Sequence, residues 1–195
     1  MTRYLWLLIA LLLSACATVS PTERVISDDL TIRESLGGGT PLTRMHGVLE
    51  LEIMTPDGQV IRRVAPNAWS AAGAAYIVNA WRGLVPLSDA RYHALGTSTA
   101  AFAGSQTQCQ AELTNQYLVD NVRATGTLAQ GPTPSTFKSV AQNTIDCSGV
   151  VLGEVCLMSN PNVGQGTMIS RMLFSPPIAV PAGSVVTTTY RVTFE

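Results

Sequence analysis

The sequence predicts a mainly β protein: an antiparallel β-sandwich of jelly-roll or immunoglobulin-like type, with seven or eight strands and one packed helix. Three observations predict it. From Val185 to Phe194 the residues alternate, with Val186, Thr188, Tyr190, Val192 and Phe194 in one set and Val185, Thr187, Thr189, Arg191 and Thr193 in the other. A period of two, rich in β-branched and aromatic residues, marks a half-buried strand whose first set faces a core and whose second faces water. Composition is the second observation: 195 residues with 46% hydrophobic, 13% charged, 16 Gly and 11 Pro. That is a turn-rich folded domain, and it excludes a disordered chain or a coiled coil. The third is that only Ala71 to Trp81 reads as a substantial helix.

In chain order, residues 1–15 read as a signal peptide. Arg3 is a short positive region, and Leu5 to Leu13 is an apolar run of nine residues, too short to span a bilayer as a helix. The run closes in Leu13-Ser14-Ala15-Cys16, which resembles the lipobox of bacterial lipoproteins. The resemblance implies lipidation of Cys16, and with Ala17 following, an outer-membrane address. Residues 16–46 read as a tether, with Pro21, Asp28, Asp29 and the run Gly37-Gly38-Gly39. Residues 47–195 then form a single domain.

That domain opens with a hairpin, Val48 to Met54 and Val60 to Val64 around the turn Thr55-Pro56-Asp57-Gly58. Asp57 reads as a turn residue. Asn67 or Ser70 caps the helix, and Arg82-Gly83 ends it. Arg91 to Leu95 is a short strand running into the small-residue loop Gly96 to Gly104. Ser105 to Leu113 reads as one or two helical turns. Asp120 to Thr127, Thr136 to Cys147 and Val150 to Met158 read as strands, and Ser159 to Gln165 as a loop. Met168 to Phe174 is expected to end at Pro176-Pro177 and to pair with Val185 to Phe194 as a closing hairpin around Pro181, Ala182 and Gly183.

Taken together, the hairpin, the helix Asn67 to Gly83, the segment Tyr92 to Ala100, the piece Ala111-Glu112-Leu113 and the ending Arg171 to Ile178 with Ala182-Gly183-Ser184 and Tyr190 to Phe194 resemble a widespread type of tailed-phage virion or tail protein. The likeness covers residues 47–195. It implies a non-enzymatic β domain that assembles or binds, located in the virion. Its partners would be virion components, a host surface receptor or further copies of itself. The lipobox departs from that type and implies a second reading, a phage- or prophage-encoded outer-membrane lipoprotein with a binding or superinfection-exclusion role.

Net charge is −1 and Lys138 is the only lysine, so the basic stripe of a nucleic-acid binder is missing. No Gly-x-Ser-x-Gly elbow and no phosphate-binding Gly-x-x-x-x-Gly-Lys occurs. Glu50, Glu52, Asp89, Glu112, Asp120, Asp146 and Glu154 are scattered, with no motif that pairs two of them for acid–base work, although a glycosidase pair need only meet in space. The pattern therefore names no catalytic residue, no cofactor and no metal site. Outside the cytoplasm a disulfide is the default. Cys147 and Cys156, on expected neighbouring strands around Ser148-Gly149, are the expected pair, with Cys109 left over. Contact surfaces are expected on the two loops, at Gly96, Thr97, Ser98 and Thr99 and at Asn160, Asn162 and Gln165, because binding residues concentrate on loops held by a scaffold.

Overall fold

Val185–Phe194, the last strand, is also the centre of one sheet. In the computed structural model, which describes residues 30–32, 43–119, 121–146 and 148–194, this strand (β11) pairs along its length with two others. On one side lies Thr43–Met54 (β2) and on the other Thr136–Thr144 (β8). Val186, Thr188, Tyr190 and Val192 are buried, as the alternation requires. The other side of β2 takes Leu30–Ile32 (β1) at one end and Val60–Pro66 (β3) along the rest, and Thr127–Gln130 (β7) pairs with β8. The second sheet runs Ala68–Trp69 (β4), Met168–Val180 (β10), Val150–Met158 (β9), Tyr92–Gly96 (β5), Ala124–Thr125 (β6). Both sheets are antiparallel, and Met45, Leu49, Leu51, Ile53 and Tyr190 of the first share a core with Leu95, Val155, Leu157 and Met172 of the second. The eleven strands among the described residues exceed the expected seven or eight because β1, β4, β6 and β7 are only two to four residues long.

Several local expectations are corrected. The ending is not a hairpin: β10 pairs with β9 and β4, whereas β11 pairs with β2 and β8. The turn at Pro181–Ser184 therefore carries the chain from one sheet to the other. Turn chemistry permits either outcome, and the decision lies with which partners cover each strand's apolar residues. Nor do Pro176 and Pro177 end β10. The pairing with β9 breaks between Leu173 and Ile178, so both prolines sit at an exposed irregularity where no N–H is required. The expected strand Asp120 to Thr127 is divided between the sheets at Gly126. A Cβ there would stand 2.0 Å from Ser139 Oγ, so only glycine passes this crossing. The domain also starts earlier than residue 47, since β2 begins at Thr43 and β1 pairs with it. The rest of residues 1–46, with Cys16 and the signal segment, lies outside the described residues.

The helix Ala71–Trp81 (α1) is capped by Ser70, whose Oγ accepts from the Gly73 N–H at 2.8 Å; Asn67 is not the cap. A Cβ on Gly73 would lie 2.0 Å from the Ile169 carbonyl oxygen, so α1 rests directly on the backbone of β10. Among the described residues no helix is long and apolar enough to cross a membrane.

Candidate functional site

β9 reads Val-Val-Leu-Gly-Glu-Val-Cys-Leu-Met and all but Val151 is buried. A strand buried along both faces needs a cover on each. Val155 and Leu157 enter the core between the sheets, while Glu154, Cys156 and Met158 alternate with them on the opposite side. The cover on that side is the segment 97–116. It contains no helix, against the turns expected for Ser105 to Leu113, and it is tied down by main-chain bonds. Thr97 N–H donates to Ala111 O at 2.9 Å, Leu113 N–H to Leu95 O at 2.8 Å, and Met168 N–H to Thr107 O at 2.8 Å. Cys109, Ala94, Cys156, Met158 and Met168 make a small apolar cluster beneath it, packed by Tyr92 and Phe102.

A disulfide pins this layer. It joins Cys109 to Cys156, which corrects the expected Cys147–Cys156 pair. β8 and β9 lie in different sheets, so the premise of neighbouring strands fails. Cys147 itself lies outside the described residues, and Cys109 is not the leftover thiol.

Beside the disulfide is a fully buried ion pair. Arg171 Nε donates to Glu154 Oε2 at 2.5 Å, and both side chains have 0% exposure. Arg171 also donates to Gln106 Oε1 at 3.0 Å and to Ser98 Oγ at 3.2 Å, and Glu154 Oε1 accepts from the Ala111 N–H at 2.8 Å. Two charges that deep are tolerable only when their remaining hydrogen-bonding positions are filled, and the cover segment fills them. The Cys156 sulfur lies 3.8 Å from Glu154 Oε2, a packing contact, because a disulfide sulfur carries no proton. Cys109, Cys156 and Glu154 approach one another closely enough to resemble a metal set. With both sulfurs bonded to each other and the carboxylate held by Arg171, these donors are already committed.

A second arginine ties the cover to the neighbouring loop. Arg123 grips Glu112 in two-pronged fashion, Nε to Oε1 at 2.5 Å and Nη2 to Oε2 at 2.8 Å. Its Nη1 donates to the carbonyls of Asn160 (2.8 Å) and Gln165 (2.7 Å). Gln108 Nε2 adds a bond to Gly166 O at 2.5 Å. Segments 97–116 and 159–166 thus form one continuous surface, fixed from below by two buried arginines. A cleft of about 260 Å³ opens beside Arg123, lined by Leu118, Val119, Val122 and Asn143 among others.

The expected contact residues divide into two kinds. Thr99, Asn162 and Gln165 are exposed, as is Thr97. Ser98 and Asn160 are half-buried and serve the bracing, Ser98 through Arg171 and Asn160 through Arg123 and the Asn162 N–H. Gly96 is corrected: it is the buried end of β5, where a Cβ would meet Glu154 Oε1 at 2.5 Å. Asp57 is a turn residue as read, its carboxylate bonded by the Thr55 hydroxyl. Of the scattered carboxylates, Glu154, Glu112, Glu50 and Glu52 are each held by an arginine (Arg171, Arg123, Arg191 and Arg62 respectively).

His93 has both ring nitrogens engaged, Nδ1 with Thr188 Oγ1 at 2.6 Å and Nε2 with Ser139 Oγ at 2.8 Å, and its ring meets Tyr190 edge-on at 5.3 Å. His93, Ser139 and Thr188 all have 0% exposure, so this histidine–serine contact is closed to any substrate. Burial pushes the His93 imidazole down to about 3. Between its ordinary value near 6.5 and about 3, the unfolded chain takes up a proton that the folded protein refuses. Stability therefore falls on acidification through that window, by up to ~1.4 kcal/mol per pH unit, and is unaffected by this group above it. Urea midpoints measured between pH 4 and 8 should show a flatter acid limb for His93→Gln than for the wild type; equal slopes would contradict the assignment.

No family model matches the chain, and neither does any curated protein or solved structure.

Proposed function

We propose that the protein is a non-enzymatic structural or binding component of the tailed-phage virion type, acting by surface contact through segments 97–116 and 159–166. The observation that carries this reading is the bracing. Arg123 donates to the loop carbonyls of Asn160 and Gln165 and Arg171 to the loop side chains of Gln106 and Ser98, and an ordered loop loses less entropy when a partner binds it. The partner is a protein, either a virion component, a host surface receptor or another copy of the chain. The resemblance over residues 47–195 supports the virion.

A second reading has its own observation, the sequence Leu13-Ser14-Ala15-Cys16 after an apolar run. On that reading the protein is a phage- or prophage-encoded lipoprotein of the outer membrane that uses the same loops to bind a receptor or exclude a second phage.

One experiment addresses both. Thr99–Ala101 and Asn162–Gly164, which leave the arginine brackets intact, are replaced by Gly-Ser sequence, and the chain is quantified in purified particles and in host membranes. Loss of particle or receptor attachment with an unchanged melting temperature supports the contact surface. Full retention of attachment refutes it. Recovery of the wild type in particles favours the first reading, and recovery in membranes without particles the second.

A further inference from the structure

The end of α1 and the turn after it expose large apolar side chains. Val78 is 43% exposed, Trp81 56%, Leu84 61% and Leu87 43%. They share one corner: Leu84 N–H donates to Asn79 O at 2.9 Å, and the Tyr76 hydroxyl to Pro86 O at 2.8 Å, so the turn folds back along the helix. Residues 78–87 contain one charged side chain, the exposed Arg82. Clustered exposed apolar groups mark a contact surface.

The topology says which way this corner faces. The Trp81 ring packs on Phe194 with centroids 6.3 Å apart, Phe194 pairs with Met45, and Met45 pairs with Leu30. Leu30 is where the chain that begins at the lipobox joins the sheet. Between Cys16 and Leu30 stand thirteen residues, Ala17 to Asp29, which reach at most ~45 Å when fully extended.

We propose that this corner rests on a lipid bilayer, with Trp81, Leu84 and Leu87 at the boundary of headgroups and acyl chains and Arg82 among the lipid phosphates. The inference rests on the lipoprotein reading, in which acylated Cys16 holds the domain within that reach. Tryptophan beside aliphatic residues and a lone cation suits the interface chemically: the indole favours the headgroup level, and the guanidinium is attracted to anionic lipid. Tethering makes the contact effectively intramolecular, so a patch too small to bind membranes by itself becomes occupied.

The test uses the full chain, expressed in a Gram-negative host, purified and reconstituted into phosphatidylethanolamine–phosphatidylglycerol vesicles with brominated acyl chains. Intact mass reports whether Cys16 is acylated. The difference in tryptophan emission between wild type and Trp81→Phe isolates Trp81 from Trp69, which is only 8% exposed, and from Trp6, which is lost when the chain is cleaved before Cys16. Bromolipid is expected to quench that difference signal by at least about twofold, as for an interfacial indole. Acylated protein with unquenched Trp81 overturns the proposal, leaves the anchor standing and returns the patch to a protein partner. If Cys16 is unmodified, the anchoring reading fails and the proposed bilayer contact, which depends on the tether, falls with it.

Discussion

Arg171→Met should lower stability by about 3–5 kcal/mol, because it leaves the Glu154 carboxylate buried without its counter-charge. Glu154 has 0% exposure, and the only compensation left would be the Ala111 N–H and neighbouring dipoles. The double variant Arg171→Met/Glu154→Leu should recover much of the loss, since well-packed apolar groups often replace a buried ion pair at little cost. Recovery stays incomplete because Gln106, Ser98 and the Ala111 N–H each lose a partner. Urea unfolding of the three proteins at pH 7 reads both effects. A single-variant loss below about 1 kcal/mol would mean that water reaches Glu154, and the buried pair would then not be the anchor of the cover segment.

Removing the disulfide should have an effect of similar size. Cys109 and Cys156 are 47 residues apart, and closing a loop of that length restricts the unfolded chain by an amount worth ~4 kcal/mol. Cys109→Ala/Cys156→Ala is therefore expected to unfold at markedly lower urea than the wild type, and the wild type to behave like it once reduced. The disulfide and the Arg171 pair touch at Glu154, so combining the two lesions should cost less than their sum. Reduction with no change in unfolding midpoint would contradict the placement of Cys109 over β9.

The elements with a local signature were legible in the sequence. The alternation of β11, the Thr55–Gly58 turn, a helix cap at Asn67 or Ser70 and the bounds of β9 all follow from residues close in the chain. What failed depended on distant partners. Pro181-Ala182-Gly183 marks a turn but does not distinguish a hairpin from a crossing between sheets. Ser105 to Leu113 has helical composition, yet the disulfide and the main-chain bonds at Thr107, Ala111 and Leu113 hold it in an irregular, non-helical course. The site itself was half visible. Gly96 to Gly104 and Ser159 to Gln165 read as loops from their small and polar residues, but the continuation of the first as irregular chain to residue 116 and the bracing of both were missed. A signal existed: Glu154 is the one charge within Val-Val-Leu-Gly-Glu-Val-Cys-Leu-Met, and Arg171 the one charge within Met-Ile-Ser-Arg-Met-Leu-Phe. A solitary charge in a strand otherwise apolar on both faces requires a counter-charge. Opposite signs on consecutive strands name each other as partners. Cys109 offered no such clue, because its partner depends on how the cover segment folds over the sheet.

Segments 97–116 and 159–166 form an ordered surface held by the two buried arginines Arg123 and Arg171. Amide hydrogen exchange of the wild type and of Arg123→Leu tests it most directly. In the wild type, the bonded amides of Thr97, Ala111 and Leu113 should be protected nearly as well as β9, and that of Ser159, which donates to Thr167 O, should be measurably protected. In Arg123→Leu, segment 159–166 should exchange faster while β9 stays protected. Rapid exchange throughout 97–116 and 159–166 in the wild type would contradict the account, because a surface that is not ordered before binding gains nothing from the two arginines.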